Sequence, residues 1–209
     1  MHSLSHILRE HGPLLVLDAA SSTVQVGLLG DGEPRWACRQ ADAGAGLFQG
    51  LEDLGVDIDS VGAFAFCAGP GSILGVRSAA AAVRAWNVLS GRPTFAYLSL
   101  EVVARALADP GLSILCDARR GLWHRYTLAG GLERVAAASL SGPTATPEGF
   151  RHWEPLPAGT RTVPYDLGRL LGIPSVLEAP LLRPAAEPDA FLHQEPAYAE
   201  WVPQIHRAP

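Results

Sequence analysis

The sequence predicts an α/β fold in which helices flank a mixed sheet. Three observations carry this. Leu14–Leu17 is an uninterrupted apolar run of the kind that forms a strand buried on both faces. Two further strand patterns follow with turn signals between them, and the hydrophobic period then switches to alternating helix and strand as far as residue 107. With 209 residues, 48% of them hydrophobic and 18% charged, the chain can bury one large domain or two small ones.

Residues 1–12 read as a polar N-terminal extension carrying His2, His6 and His11. The His2 to His6 spacing would place two imidazoles on one helical face. No carboxylate follows in a metalloprotease pattern, so no metal site is expected. After the first strand comes Asp18, then a turn of small residues, Ala19–Ser22. Val24, Val26 and Leu28 then alternate with Thr23, Gln25 and Gly27 as a half-buried strand. Gly30-Asp31-Gly32 marks a hairpin, and Arg35–Arg39 is the returning strand. Leu47, Phe48, Leu51 and Leu54 recur at helical spacing up to Gly55. A strand over Val61–Cys67 leads through Gly69-Pro70-Gly71-Ser72-Ile73-Leu74-Gly75 into a long helix ending at Ser90, with Gly91 as its cap. Pro93–Leu98 is a strand, and Ser99 is read as the N-cap of a helix over Leu100–Leu107.

Three meander strands followed by strand–helix alternation form the half-unit of the actin and sugar-kinase superfamily, an actin/RNase H-like mixed sheet with flanking helices. Asp109-Pro110-Gly111 marks the boundary between an N-terminal domain (13–108) and a smaller second domain (109–190). Strands are expected at Leu112–Cys116 and Leu122–Leu128, around the Asp117–Gly121 turn. Little regular structure is expected over Ser141–Pro164, a short helix over Tyr165–Leu171, and a loosely built tail at the end, residues 191–209. No internal repeat is visible.

Composition excludes several chemistries. Every basic residue except histidine is arginine, which removes a Walker A loop, a Schiff base and a Ser-Lys dyad. A net charge of −5 gives little long-range attraction to nucleic acid. Cys38, Cys67 and Cys116 lie in apolar runs without CxxC pairing and read as buried structural thiols. There is no run of roughly 18 apolar residues and no signal-peptide core, so a cytoplasmic location without membrane contact is expected.

Two groups could carry a ligand. Asp18, with Ser21 and Ser22 in the turn beyond it, sits at the carboxyl end of a central strand, where open α/β sheets meet ligands. The turn lacks the glycine that lets backbone approach phosphate, and the alternative reading is that Asp18 accepts the N–H bonds of its own turn. Gly69, Gly71, Ser72 and Gly75 precede a helix start, which is an anion site in principle or else simply a sharp strand-to-helix turn. These seven residues are the candidate vestigial nucleotide or anion site, and no catalytic residue is assigned. The long helix offers a second feature. Val76, Ala79, Ala80, Val83 and Trp86 share the side facing the sheet, yet the opposite side carries Ser78, Ala81, Ala82, Ala85, Val88 and Leu89, with Arg77 and Arg84 on one flank. An uncharged strip on both sides marks a helix buried twice, and a partner interface is expected there.

Gly69–Arg77 resembles the GPGSFTGLRIG signature of the TsaB (YeaZ) family, with Ile73-Leu74 in place of Phe-Thr. Leu14–Asp18 is similar to that family's ILxIDTS strand, Ser99-Leu100-Glu101 to its SLE, Asp117–Gly121 to its DARRGE, and Glu195–Tyr198 to its PxYLR tail. The resemblance implies two small ASKHA-type (actin-like) domains with a decayed ATP site and no cofactor of the chain's own, a nucleotide at a partner interface being the exception it leaves room for. It further implies a homodimer when alone and a non-catalytic role beside a TsaD-type transferase, which modifies adenosine 37 of tRNA, and a TsaE-type ATPase. Contact with tRNA would be indirect. Two departures stand out. Ala41–Gly46 replaces the family's His-Ser-Glu stretch, and no VxGxG strand occurs within Ser141–Pro164. The competing readings are a small actin-fold kinase, which would need glycine in its phosphate turns, and a free-standing homodimeric interaction module.

Overall fold

The computed structural model describes residues 1–190; the tail 191–209, including Glu195–Tyr198, lies outside them. The chain forms two sheets. In the first, β1 (Leu14–Asp18), β2 (Val24–Leu29) and β3 (Arg35–Arg39) make an antiparallel meander. Helix α2 (Ala43–Leu54) leads to β4 (Ala63–Gly69), parallel to β1. Helix α3 (Ile73–Ser90) leads to β5 (Thr94–Leu98), parallel to β4. Helix α4 (Ser99–Leu107) then enters the second sheet of β6 (Ser113–Asp117), β7 (Leu122–Thr127), β8 (Gly131–Ala136), β9 (Thr144–Pro147) and β10 (Arg161–Val163). Its order, β10-β9-β6-β7-β8, repeats that of the five leading strands of the first sheet, β5-β4-β1-β2-β3. The duplication is topological, and the crossover helices of the first unit have no counterpart between β8 and β10, where the chain runs as loops and one 3-10 turn. This is the actin-like α/β fold of two mixed sheets.

Burial on both faces accounts for the apolar runs. Leu14 and Val16 face α4 and the second sheet, while Leu15 and Leu17 face α2 and α3, as period-2 alternation requires. The first of these cores continues into Ile114, Cys116 and Ala145, so the two sheets share one apolar interior. Truncating any of these leucines to alanine would cost about 2–5 kcal/mol.

Four sequence expectations change. Residues 1–12 are not a loose lead-in: α1 (Leu4–His11) is capped by Ser3 and buries Leu4 and Ile7, one helical turn apart. The region 141–164 contains β9 and β10. Beyond it, α5 (Leu167–Leu170), α6 (Pro174–Leu177) and β11 (Arg183–Pro184) return to the first sheet, where β11 pairs with β5. Ser99 is the first residue of α4 rather than its cap, and its hydroxyl donates to the Pro70 carbonyl at 2.6 Å. Cys38 is exposed on the edge strand, whereas Cys67 and Cys116 are buried. No described helix is long and apolar enough to cross a membrane.

Candidate functional site

Asp18 ends β1 at the sheet's carboxyl edge, as its position after an apolar run dictates, but it does not face a ligand space. Its side chain is fully buried. Oδ1 accepts the Ala20 N–H at 2.9 Å, and Oδ2 accepts the hydroxyls of Tyr97 and Tyr165, each at 2.7 Å. The Cys67 thiol adds a further contact. Burial raises the Asp18 carboxyl above its ordinary value despite these donors, and burial beside Asp18 lifts both tyrosines and the Cys67 thiol well above theirs. Asp18 thus ties β1 to β5 and to the segment returning from the second sheet.

The turn after Asp18 is closed by protein on two sides. Three N–H groups that would cradle a phosphate are used internally: Ala20 on Asp18, Ser22 on the Gly149 carbonyl at 2.8 Å, and Thr23 on the Ser21 hydroxyl at 3.1 Å. From the other side, the Ser72 N–H donates to the Ala20 carbonyl at 2.8 Å. The glycine loop lies so close that a Cβ on Gly71 would overlap Ala20, and one on Gly75 the Ala19 carbonyl. The glycines therefore serve this backbone contact.

The seven candidate residues are adjacent but do not surround one space. Asp18 and Gly69 are buried. Ser21 and Ser22 line a polar cleft of about 420 Å³ with Gln25, Glu148 and Asp166. Gly71 and Ser72 line a different cleft, of about 310 Å³, whose far wall is Asp117–Arg119, Arg151 and Trp153. Gly75 is buried at the start of α3, where the Ser72 hydroxyl accepts its N–H at 3.3 Å.

Along α3, Ala81, Ala85, Val88 and Leu89 are exposed and Ser78 and Ala82 half-buried. Val88 and Leu89 are 81% and 87% exposed, and Phe48 of neighbouring α2 adds another exposed apolar side chain at 56%. Among the described residues no helix of the chain covers this strip.

Sequence reasoning missed Tyr97, Tyr165 and Trp153, none of which carries a spacing that marks it. It also missed the role of Glu101. This residue is 1% exposed, accepts from Arg105 and from Arg183, and so bridges α4 to β11. Among the described residues no group of three metal-ligating side chains converges. His2 and His6 stack on each other at 5.2 Å, and His6 pairs with Glu10 at 2.7 Å.

The family model for TsaD, tRNA N6-adenosine threonylcarbamoyltransferase, matches residues 47–140, from α2 to the end of the β7–β8 hairpin region. No curated protein matches the sequence. Among solved structures, YeaZ from Pseudomonas aeruginosa is similar with 26% identity and a TM-score of 0.54, over 65% of this chain and 76% of that one. A second P. aeruginosa structure, described as having similarity to peptidase YeaZ, gives 26% identity and a TM-score of 0.53, over 66% and 76%. With the ordered motifs and the duplicated sheet, these likenesses support assignment of the chain to the TsaB (YeaZ) family on an actin-like (ASKHA) fold.

Proposed function

We propose that the chain serves tRNA N6-threonylcarbamoyladenosine modification as a non-catalytic partner subunit that scaffolds or activates a TsaD-type transferase. The observation that carries this reading is the uncovered apolar strip of α3, continued by Phe48. A monomer that left Val88, Leu89 and Phe48 in water would forgo their burial, which a helix-on-helix contact through Ala81 and Ala85 recovers, because small residues let two backbones approach. The closed turn after Asp18 supports the non-catalytic part: its Ala20, Ser22 and Thr23 N–H groups and the Asp18 carboxylate already have protein partners and are not available to a triphosphate. A TsaE-type ATPase would supply nucleotide turnover to the assembly, and tRNA would be held mainly by the partner. In the chain's own absence of partner, the same strip would pair two copies.

The test is Ala85→Glu, followed by light scattering of the chain alone and mixed with a TsaD-type transferase. A charge in a dry helix contact costs about 2–4 kcal/mol of association, so both the homomeric and the mixed complex should dissociate while the melting temperature stays that of the parent. Assembly equal to the parent's, or a monomer that unfolds, overturns the interface.

A further inference from the structure

The cleft of about 310 Å³ between the start of α3 and the β6–β7 turn has walls of two kinds. One is apolar: Ile73, Leu74 and Trp153 are each at least half exposed, and buried Phe150 lines the same space. The other is cationic. Arg151 lies over the Trp153 ring at 4.0 Å and Arg119 over the same ring at 5.1 Å. Among the described residues neither guanidinium makes a hydrogen bond or ion pair. Asp117 accepts the backbone N–H groups of Arg119 at 2.6 Å and Trp153 at 2.7 Å, which holds the two loops against each other. Exposed aromatic and aliphatic side chains beside unpaired arginines suit an acidic peptide that carries aromatic side chains of its own. A small oxyanion would answer the arginines alone and leave Ile73, Leu74 and the indole in water.

The chain carries such a peptide. Within 191–209, Glu195 and Glu200 bracket Tyr198, and Trp201 and Val202 follow. The described residues stop close by: Pro188 is buried, and its carbonyl accepts from Arg84 of α3 at 2.7 Å. Arg84 stands twelve residues beyond Ser72 on one helix, about 18 Å along the axis. Glu200, ten residues past Ala190, can reach about 33 Å. A short tether holds the segment at an effective concentration of about a millimolar, so a few contacts suffice to seat it.

We propose that the segment 195–202 of the same molecule seats in this cleft, with Tyr198 and Trp201 against Ile73, Leu74 and Trp153, and with Glu195 and Glu200 accepting from Arg119 and Arg151. The cleft is then closed by the chain's own C-terminal segment and opens when that segment is drawn away. The contact is made at the first turn of α3, apart from the apolar strip of 81–89, so it stands or falls independently of the partner interface.

Amide hydrogen exchange of the full chain, read by mass spectrometry, tests this with a charge swap. In Glu195→Arg/Glu200→Arg, exchange at 73–74 and 151–152 should rise about tenfold over the parent, with the melting temperature unchanged. Arg119→Glu/Arg151→Glu should show the same rise, and the fourfold variant should return to the parent's rates. A synthetic peptide of residues 191–209 should restore protection to Glu195→Arg/Glu200→Arg saturably and leave the parent unaffected. Cleft exchange equal to the parent's in both double variants, a change confined to 81–89, no rescue in the fourfold variant, or parental protection that disappears on dilution, as a second copy's segment would give, overturns the proposal.

Discussion

Replacing Asp18 separates a structural role from a ligand-binding one, because the two predict opposite signs. A carboxylate poised for a ligand is strained in its empty state, and truncating it stabilises the fold. A hub behaves otherwise. In Asp18→Ala the Ala20 N–H and the hydroxyls of Tyr97 and Tyr165 lose their acceptor in a site closed to water. Each stranded donor costs about 1–3 kcal/mol, but the hydroxyls can turn toward each other and an unpaired buried charge is removed, so a net loss of about 3 kcal/mol is expected. Asp18→Asn keeps the pattern: its carbonyl accepts the Ala20 N–H while its amide donates to both hydroxyl oxygens, at a cost within about 1 kcal/mol. The pH dependence follows from the raised Asp18 carboxyl. Below the unfolded value the group is neutral in both states and its contribution is fully present. As pH rises from there through the higher folded value, the folded state holds the extra proton and stability falls. Denaturant melts from about pH 4 upward should show that decline in the parent and its absence in Asp18→Asn. An Asp18→Ala variant as stable as the parent, or an Asp18→Asn variant with the parent's slope, would refute the hub.

Two further outcomes are expected. Glu101→Ala leaves Arg105 and Arg183 without their shared carboxylate, and because both arginines are partly exposed the loss should be about 2–3 kcal/mol by denaturant melts, with Glu101→Gln in between. In thiol titration of the native protein only Cys38 should react, and slowly, since burial followed by Asp166 raises its thiol; Cys67 and Cys116 should appear only after unfolding.

Legibility followed the contrast between neighbouring positions. β3 spans Arg35–Arg39 as the hairpin glycines suggest, and β1 announces itself because both its faces are buried. β8 and β9 do not. Every residue from Gly131 to Val135 is half-buried, so GLERVA has no alternation to read, and β9 is a buried strand made of Thr-Ala-Thr-Pro, whose low hydropathy and proline resemble a loop. The small-residue strip of α3 was visible because a helix's faces follow from a single period. The Asp18 hub was not, since its partners lie 79 and 147 residues away and nothing local marks a tyrosine as a donor to a distant carboxylate. Cys38 misled because apolar neighbours on an edge strand do not guarantee an inward direction; its inward neighbour is Ala37.

The return of the chain to its first sheet sets an order of events during synthesis. His2 exchanges two backbone hydrogen bonds with Leu182, at 2.8 and 2.9 Å, and α1 packs beside α6. His2 therefore waits for Leu182, far along the chain, for its backbone partner, and Leu4 and Ile7, which β1 meets early, are fully enclosed only once α6 and the 181–182 segment have been made. Such sequence-distant closure slows folding and leaves the N-terminal unit open to capture by other apolar surfaces while translation proceeds.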